Sequence, residues 1–279
     1  MRYRDLDDCM EDIKLAARDV SIYKTIGISD DNLTVNMDRA KEFLRKIINE
    51  NLPEHIGFTV QLKIDSFKDD EFLSLLRDAR FRLVHLGYES INQNTLNNWN
   101  KSQSIEDIKF TVEQGKKFNI KINGMFVVGS DVDTKETIEK TVDFAIDSGL
   151  TTMQMWILTP LPGSDVYRQI NDEHRIFNTN WRYFDCQHSV FFPSLMKPST
   201  LQSALAEANK KFYTFKRMFY NAIGSRITYG TNAHMMDRAI RDYAKRLKNF
   251  EDKFYTKDGE LITEKLSENN PEEFAGYLY

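Results

Sequence analysis

Cysteine is scarce in this sequence: Cys9 and Cys186 are the only two among 279 residues. They stand far apart, and neither belongs to a CxxC or CxxxCxxC cluster. That excludes a disulfide framework and points to a cytoplasmic chain. Long apolar runs are missing too. None approaches the roughly 18–20 residues of a membrane span, and the opening MRYRDLDDCMEDIK is too polar for a signal peptide. Positive charge is not in excess. A net charge of −4 gives no footprint for general nucleic-acid binding. Familiar chemical motifs are absent as well. There is no GxGxxG for a dinucleotide, no GxxxxGK[ST] for a nucleotide phosphate and no GxSxG nucleophile elbow. The five histidines, His55, His85, His174, His188 and His234, show no ligand spacing, so no metal site is expected from them.

What is there is a sequence of ordinary globular make-up, 41% hydrophobic and 29% charged, enough for a real core. Short apolar runs alternate with helical patterns up to about residue 160. The runs are Val20–Ile28, Phe58–Ile64 (with Val60, Leu62 and Ile64 alternating), Leu83–Tyr88, Ile120–Val128 and Met153–Leu158. Between them, Ala40, Phe43, Leu44 and Ile47 share one helical face, and so do Ile105, Ile108 and Val112. Asn36 and Ser104 are placed to cap these two helices, and Asp133 with Glu136 resembles a capping box. Strand–helix alternation of this kind implies parallel strands joined by right-handed crossovers, in a barrel or a doubly wound sheet.

The character changes after Gly163. An irregular aromatic stretch follows, with Trp181, Tyr183, Phe184, Phe191 and Phe192. Two helices are then expected, over 201–222 and 233–254, before a polar tail from Thr256. The division this suggests is 1–163, 164–255 and 256–279.

In parallel α/β folds ligands bind at the carboxyl ends of the strands. Those ends are polar or glycine-rich here: Asp30, Asp31 and Asn32; Asp65; Glu89, Ser90 and Asn92; Gly129, Ser130 and Asp131; Thr159 and Gly163. Carboxylates in such places accept hydrogen bonds from an ammonium group or ribose hydroxyls. Taken singly, each is explained by turn or cap chemistry. Their recurrence at successive strand ends is what suggests a site. Trp156, Tyr183 and His188 are candidates for a substrate cavity, although aromatic residues more often pack a core.

Several segments together carry a family resemblance: GISDDNLTVNMDRAKEFL from Gly27, LGYESINQNTLNNWNKSQ from Leu86, INGMFVVGSD from Ile122, MWILTPLPGSDVY from Met155, NWRYFDCQHSVFFPSLM from Asn180 and LQSALAEANKKFY from Leu201. The chain resembles radical SAM proteins that contain a cobalamin-binding domain, in the branch related to hopanoid methylases. The resemblance covers roughly residues 1–220. It implies a partial, TIM-like radical SAM barrel of about five parallel strands with a helical C-terminal region. Such a barrel binds S-adenosylmethionine, which a reduced 4Fe-4S cluster cleaves to a radical that abstracts hydrogen from a small-molecule substrate. By resemblance, Asp30, Asp31 and Asn32 lie near the methionyl amine and Glu89 faces the ribose or methionyl part. Ser90, Gly129, Ser130 and Thr159 belong to the segments around the nucleoside.

One departure is large. The family's CxxxCxxC lies just upstream of a segment like MRYRDLDDCMEDI, where this sequence begins. The first strand, the cluster loop and the cobalamin domain are outside it, and Cys9 and Cys186 cannot replace three clustered thiolates. The expectation is an N-terminally truncated barrel with a free sheet edge, partnered by an upstream polypeptide that carries the missing parts. Two alternatives accompany it: a non-catalytic remnant binding a nucleoside or protein partner, and an unrelated α/β barrel using carboxylate acid–base chemistry.

Overall fold

The computed structural model describes residues 3–18, 24–214, 217, 245, 248–250 and 252–262. Five strands form one sheet: β1 (Lys24–Ile28), β2 (Ile56–Leu62), β3 (Phe81–Glu89), β4 (Lys121–Val128) and β5 (Thr152–Ile157). Their order is β1-β2-β3-β4-β5, so every strand lies beside its neighbour in sequence and β1 is an edge. The chain is a parallel α/β fold, as the alternation of runs predicts. The helices are α1 (Leu6–Arg18), α2 (Met37–Asn49), α3 (Asp70–Asp78), α4 (Gln93–Asn98), α5 (Ile105–Phe118), α6 (Lys135–Asp147), α7 (Asp165–Asp172) and α8 (Pro198–Phe212).

The chain divides into two compact units. Met1–Tyr88, Ser102–Met125 and Ala145–Gln154 form the first, and Glu89–Lys101, Phe126–Phe144 and Met155–Tyr279 the second. In the first unit the strands are two-faced. Phe58, Val60, Leu62, Val84, Leu86 and Ile122 are buried. The residues between them, Thr59, Gln61 and His85, are half-buried or exposed. Side chains alternate across a strand, so the apolar set lies on one side and the polar set on the other. A register irregularity between Phe58 and Thr59 places Thr59 opposite Leu83 and Gln61 opposite His85.

Local chemistry accounts for the helix starts. Asn36 accepts the Arg39 N–H to begin α2. Ser104 and Asp107 form a full capping box on α5. The Asp133 expectation needs correcting. Thr134 and Thr137 satisfy each other's N–H at the start of α6, whereas Asp133 turns back toward β4, as described below. Two short helices escaped the sequence pattern. α4 carries only Leu96 and Thr95 as buried residues, and α7 only Ile170, so neither has an apolar stripe to be seen. The helix expected over 201–222 begins earlier, at Pro198, and ends at Phe212 with Tyr213 as its C-cap; most of the residues from 215 to 222, most of the helix expected over 233–254, residues 20–23 of the first strand and the tail from 263 lie outside the described residues. Residues Thr256–Ile262 form a tight turn closed by an antiparallel bridge between Tyr255 and Leu261.

Candidate functional site

The first unit contains a cleft of about 270 Å³ at the carboxyl ends of β1 and β2, lined by Gly27, Asp30, Asp31, Thr59, His85 and Gln154 among others. Asp30 and Asp31 form its acidic rim. One oxygen of Asp30 accepts the Asn32 N–H at 2.9 Å. Asn32 itself caps a 3-10 turn through Thr34. Turn chemistry therefore accounts for Asn32 and half of Asp30. The Asp31 carboxylate is exposed and has no partner among the described residues.

The wall of the cleft is a hydrogen-bonded ladder across four strands. Thr59 Oγ1 lies 2.8 Å from His85 Nε2. Asn123 Nδ2 lies 2.9 Å from His85 Nδ1 and donates to Gln154 Oε1 at 3.0 Å. Thr152 donates to Asn123 Oδ1 at 2.7 Å. An amide nitrogen can only donate, so Nδ1 of His85 accepts and Nε2 carries the proton toward Thr59. Burial pushes the His85 imidazole below its ordinary range, which keeps it neutral. In the sequence His85 is one of five histidines without ligand spacing. The available signal was the period-two interleaving of Thr59 and Gln61 with Val60 and Leu62.

A larger groove of about 510 Å³ is lined by residues of α1, β1 and α2 that include Cys9, Ile13, Ile26 and Phe43, β1 being an edge of the sheet among the described residues.

In the second unit the remaining strand-end residues are structurally engaged. Glu89 adopts a left-handed conformation, φ 61°, unusual for a residue with a side chain. It pairs with Lys101 at 3.0 Å. Ser90 is buried, and its hydroxyl accepts the Asn92 N–H at 3.0 Å. Gly129 and Ser130 donate their N–H groups to one oxygen of Asp133, at 3.0 and 2.9 Å. Thr95 donates to the other at 3.2 Å and meets Ser130 Oγ at 3.1 Å. Asp133 is 1% exposed. Burial raises its carboxyl pKa in spite of these bonds. Thr159 donates to the Ile157 carbonyl at 3.0 Å. Asp131 accepts from Arg175 and from Ser194, and the Arg175 contact holds its carboxyl below the usual range.

Tyr183 and His188 come together, ring centroids 5.3 Å apart, within an aromatic cluster completed by Phe250 and Phe254. His188 Nδ1 sits 3.0 Å from both oxygens of Asp185. Burial pushes Asp185 up, but the His188 contact and two backbone N–H groups outweigh it and hold the carboxyl low. Trp156 is half-buried on β5 and makes no ring contact with either among the described residues.

A 4Fe-4S cluster does not fit the residues present. Cys9 lies in α1 and Cys186 within the aromatic segment, both partly exposed and unpaired. Among the described residues no three His, Cys, Asp or Glu side chains are placed to hold a metal ion. The cleft in the first unit carries carboxylates at its rim and the neutral groups of Thr59, His85 and Gln154 below them. No helix among the described residues is long and apolar enough to cross a membrane.

A parallel α/β chain with a polar cleft at its strand ends has the architecture in which ligands bind at this edge of the sheet. The particular family follows from comparison. The profile of the Radical SAM superfamily matches residues 1–145, and the chain belongs to that superfamily. It is 27% identical over 198 residues to the bacteriochlorophyllide d C-8(2)-methyltransferase of Chlorobaculum tepidum, which covers 70% of this chain and 43% of that protein. It is 25% identical over 158 residues to the hopanoid C-2 methylase of Rhodopseudomonas palustris, covering 55% and 30% respectively. Among solved structures, the radical S-adenosylmethionine methyltransferase TsrM of Kitasatospora setae, solved with cobalamin and a [4Fe-4S] cluster, superposes with a TM-score of 0.54 at 21% identity, over 61% of this chain and 32% of that one. That likeness shows the fold. The chain spans less than half the length of these curated relatives.

Proposed function

We propose that this chain is the S-adenosylmethionine-binding barrel portion of a radical SAM methyltransferase, working with cluster ligands that lie outside its 279 residues. The observation that carries the reading is the strand-end cleft of the first unit, on a chain whose superfamily membership is established. Asp30 and Asp31 supply acceptors for the methionyl ammonium, and Asn32 shapes their turn. Glu89, Ser90, Gly129, Ser130 and Thr159 keep the roles that the resemblance gives them. A methyl-transfer reaction is supported by the curated relatives, several of which are named as methyltransferases.

The groove beside β1 supports a further part of the reading. A parallel edge unpaired among the described residues, on a strand that also lines a groove of mixed polarity, suits an added strand. The proposed partner is the polypeptide that carries the CxxxCxxC loop and a cobalamin domain.

Equilibrium dialysis of the iron-free chain against S-adenosylmethionine tests the proposal. Saturable binding is expected, weakened in Asp31→Ala; no saturable binding would overturn it. A second reading, nucleoside binding without radical chemistry, is favoured by the two isolated cysteines. It predicts the same binding with no gain of cleavage when an upstream polypeptide is supplied.

A further inference from the structure

The amino ends of the first unit's strands, opposite the cleft, hold a group of cations without a counter-charge. Gly57 precedes Thr59 by two residues on β2, and Lys121 precedes Asn123 by two on β4. Both therefore fall on the same face as the polar ladder. Gly57 makes room for Arg82: a Cβ there would clash with Nε, Cδ and Cγ of that side chain. The register irregularity leaves Arg82 without a partner on β2, and its stem lies over the glycine instead. Arg82 Nη2 then donates to the carbonyls of Glu54 and His55, at 3.2 and 2.9 Å. Arg80 donates to those of Pro53 and Leu52, at 2.7 and 3.0 Å. Two arginines thus hold four consecutive carbonyls of the chain entering β2.

Those contacts fix the arginines but leave charge unbalanced, because a carbonyl accepts a hydrogen bond without neutralising a cation. Glu54 acts on Arg80, opposing the effects of burial and of Arg82. Nothing comparable serves Lys121. It is half-buried and has no hydrogen bond or ion pair among the described residues. Burial lowers the pKa of its amine, and the neighbouring Arg82 charge lowers it further. Arg82 Nε and Nη1 are also unused among the described residues. His55 Nε2, in the same entering segment, is buried without a partner. Charges withdrawn from water are normally paired. We propose that Arg82 and Lys121 form a binding site for a phosphate group at the amino ends of β2, β3 and β4, with Gly57 as the residue that positions the guanidinium. Two cations lack a counter-charge, and a phosphate group brings nearly two negative charges where a carboxylate brings one. Arginine and lysine donors also suit phosphate oxygens. The site is separate from the strand-end cleft and does not rest on the reading given for it.

The test follows thermal unfolding of the full chain with inorganic phosphate, glycerol 3-phosphate or acetate, each matched in ionic strength by sodium chloride. Phosphate is expected to raise the unfolding temperature saturably, and acetate is not. Carbon-13 spectra of labelled lysine should show Lys121 titrating at higher pH once phosphate is bound. Stabilisation by glycerol 3-phosphate as well supports a phosphate monoester as ligand; its failure supports the free ion. Lys121→Met and Gly57→Ala should each weaken phosphate binding by about tenfold or more, the worth of a hydrogen bond between charged groups. Gly57→Ala does so at unchanged net charge, since its methyl group displaces the guanidinium. Lys121→Met removes an unpaired cation and should fold at least as stably as the wild type without phosphate. No saturable response to phosphate, an equal response to acetate, or undiminished affinity in Lys121→Met would overturn the proposal.

Discussion

At neutral pH the His85 imidazole carries no charge, because burial disfavours its protonated form. Its folded-state pKa lies below the unfolded value of about 6.5. The unfolded chain therefore takes up a proton first as the solution is acidified. The stability tied to neutral His85 is fully present above about pH 6.5 and is lost as pH falls toward the folded-state value. Denaturant midpoints at pH 7.5 and 5.5 should reveal this loss, and His85→Gln should reduce it. Asp133 plays a different part. Its carboxylate ties the N–H groups of Gly129 and Ser130 to the Thr95 hydroxyl. Asp133→Ala would leave two buried N–H groups without an acceptor, a cost of about 2–4 kcal/mol readable by thermal unfolding. Gly129 has φ +99°, and a Cβ there would meet Leu201 Cδ2 at 2.8 Å. Gly129→Ala is expected to destabilise by about 1–3 kcal/mol, combining backbone strain with overpacking against α8.

Among the elements, α5 is the one whose start is most completely specified by local chemistry. Ser104 and Asp107 exchange hydrogen bonds reciprocally, and Ile108, Thr111, Val112 and Phe118 are buried beyond them. Ser104→Ala should cost about 1 kcal/mol in a stability measurement, the usual worth of an N-cap. β2 and β3 behave differently. They are joined by ladder bonds and by the stacked Phe58 and Phe81 rings, 5.2 Å apart. Their register skips one residue at Phe58/Thr59. A slip of one residue would turn every side chain of a strand to the opposite face, taking Thr59 away from His85. The polar ladder therefore depends on this irregularity.

On the scale of the molecule, the sheet ends at β1 with a groove alongside it. Anaerobic iron–sulfur reconstitution of the 279-residue chain alone is expected to leave it without a stoichiometric 4Fe-4S spectrum. Co-purification with a polypeptide bearing CxxxCxxC should change that result and raise the unfolding temperature. A full cluster spectrum from the isolated chain would refute the proposed division of labour.

The amino-acid sequence by itself determined the alternation of strands and helices, because apolar spacing and cap residues act over a few positions. Asn36 and Ser104 were legible as caps for that reason, and the polar strand ends were legible as a candidate edge for ligands. Tertiary structure decided which of these residues are free to act. Asp133 looked like a helix start and instead closes the end of β4, since two buried N–H groups from the preceding turn need its oxygen. Asn32 looked like a ligand contact and caps a turn. His85 looked isolated because its partners Thr59 and Asn123 are 26 and 38 residues away in sequence. Only strand register brings their hydrogen-bonding atoms within reach, and no local pattern encodes that register.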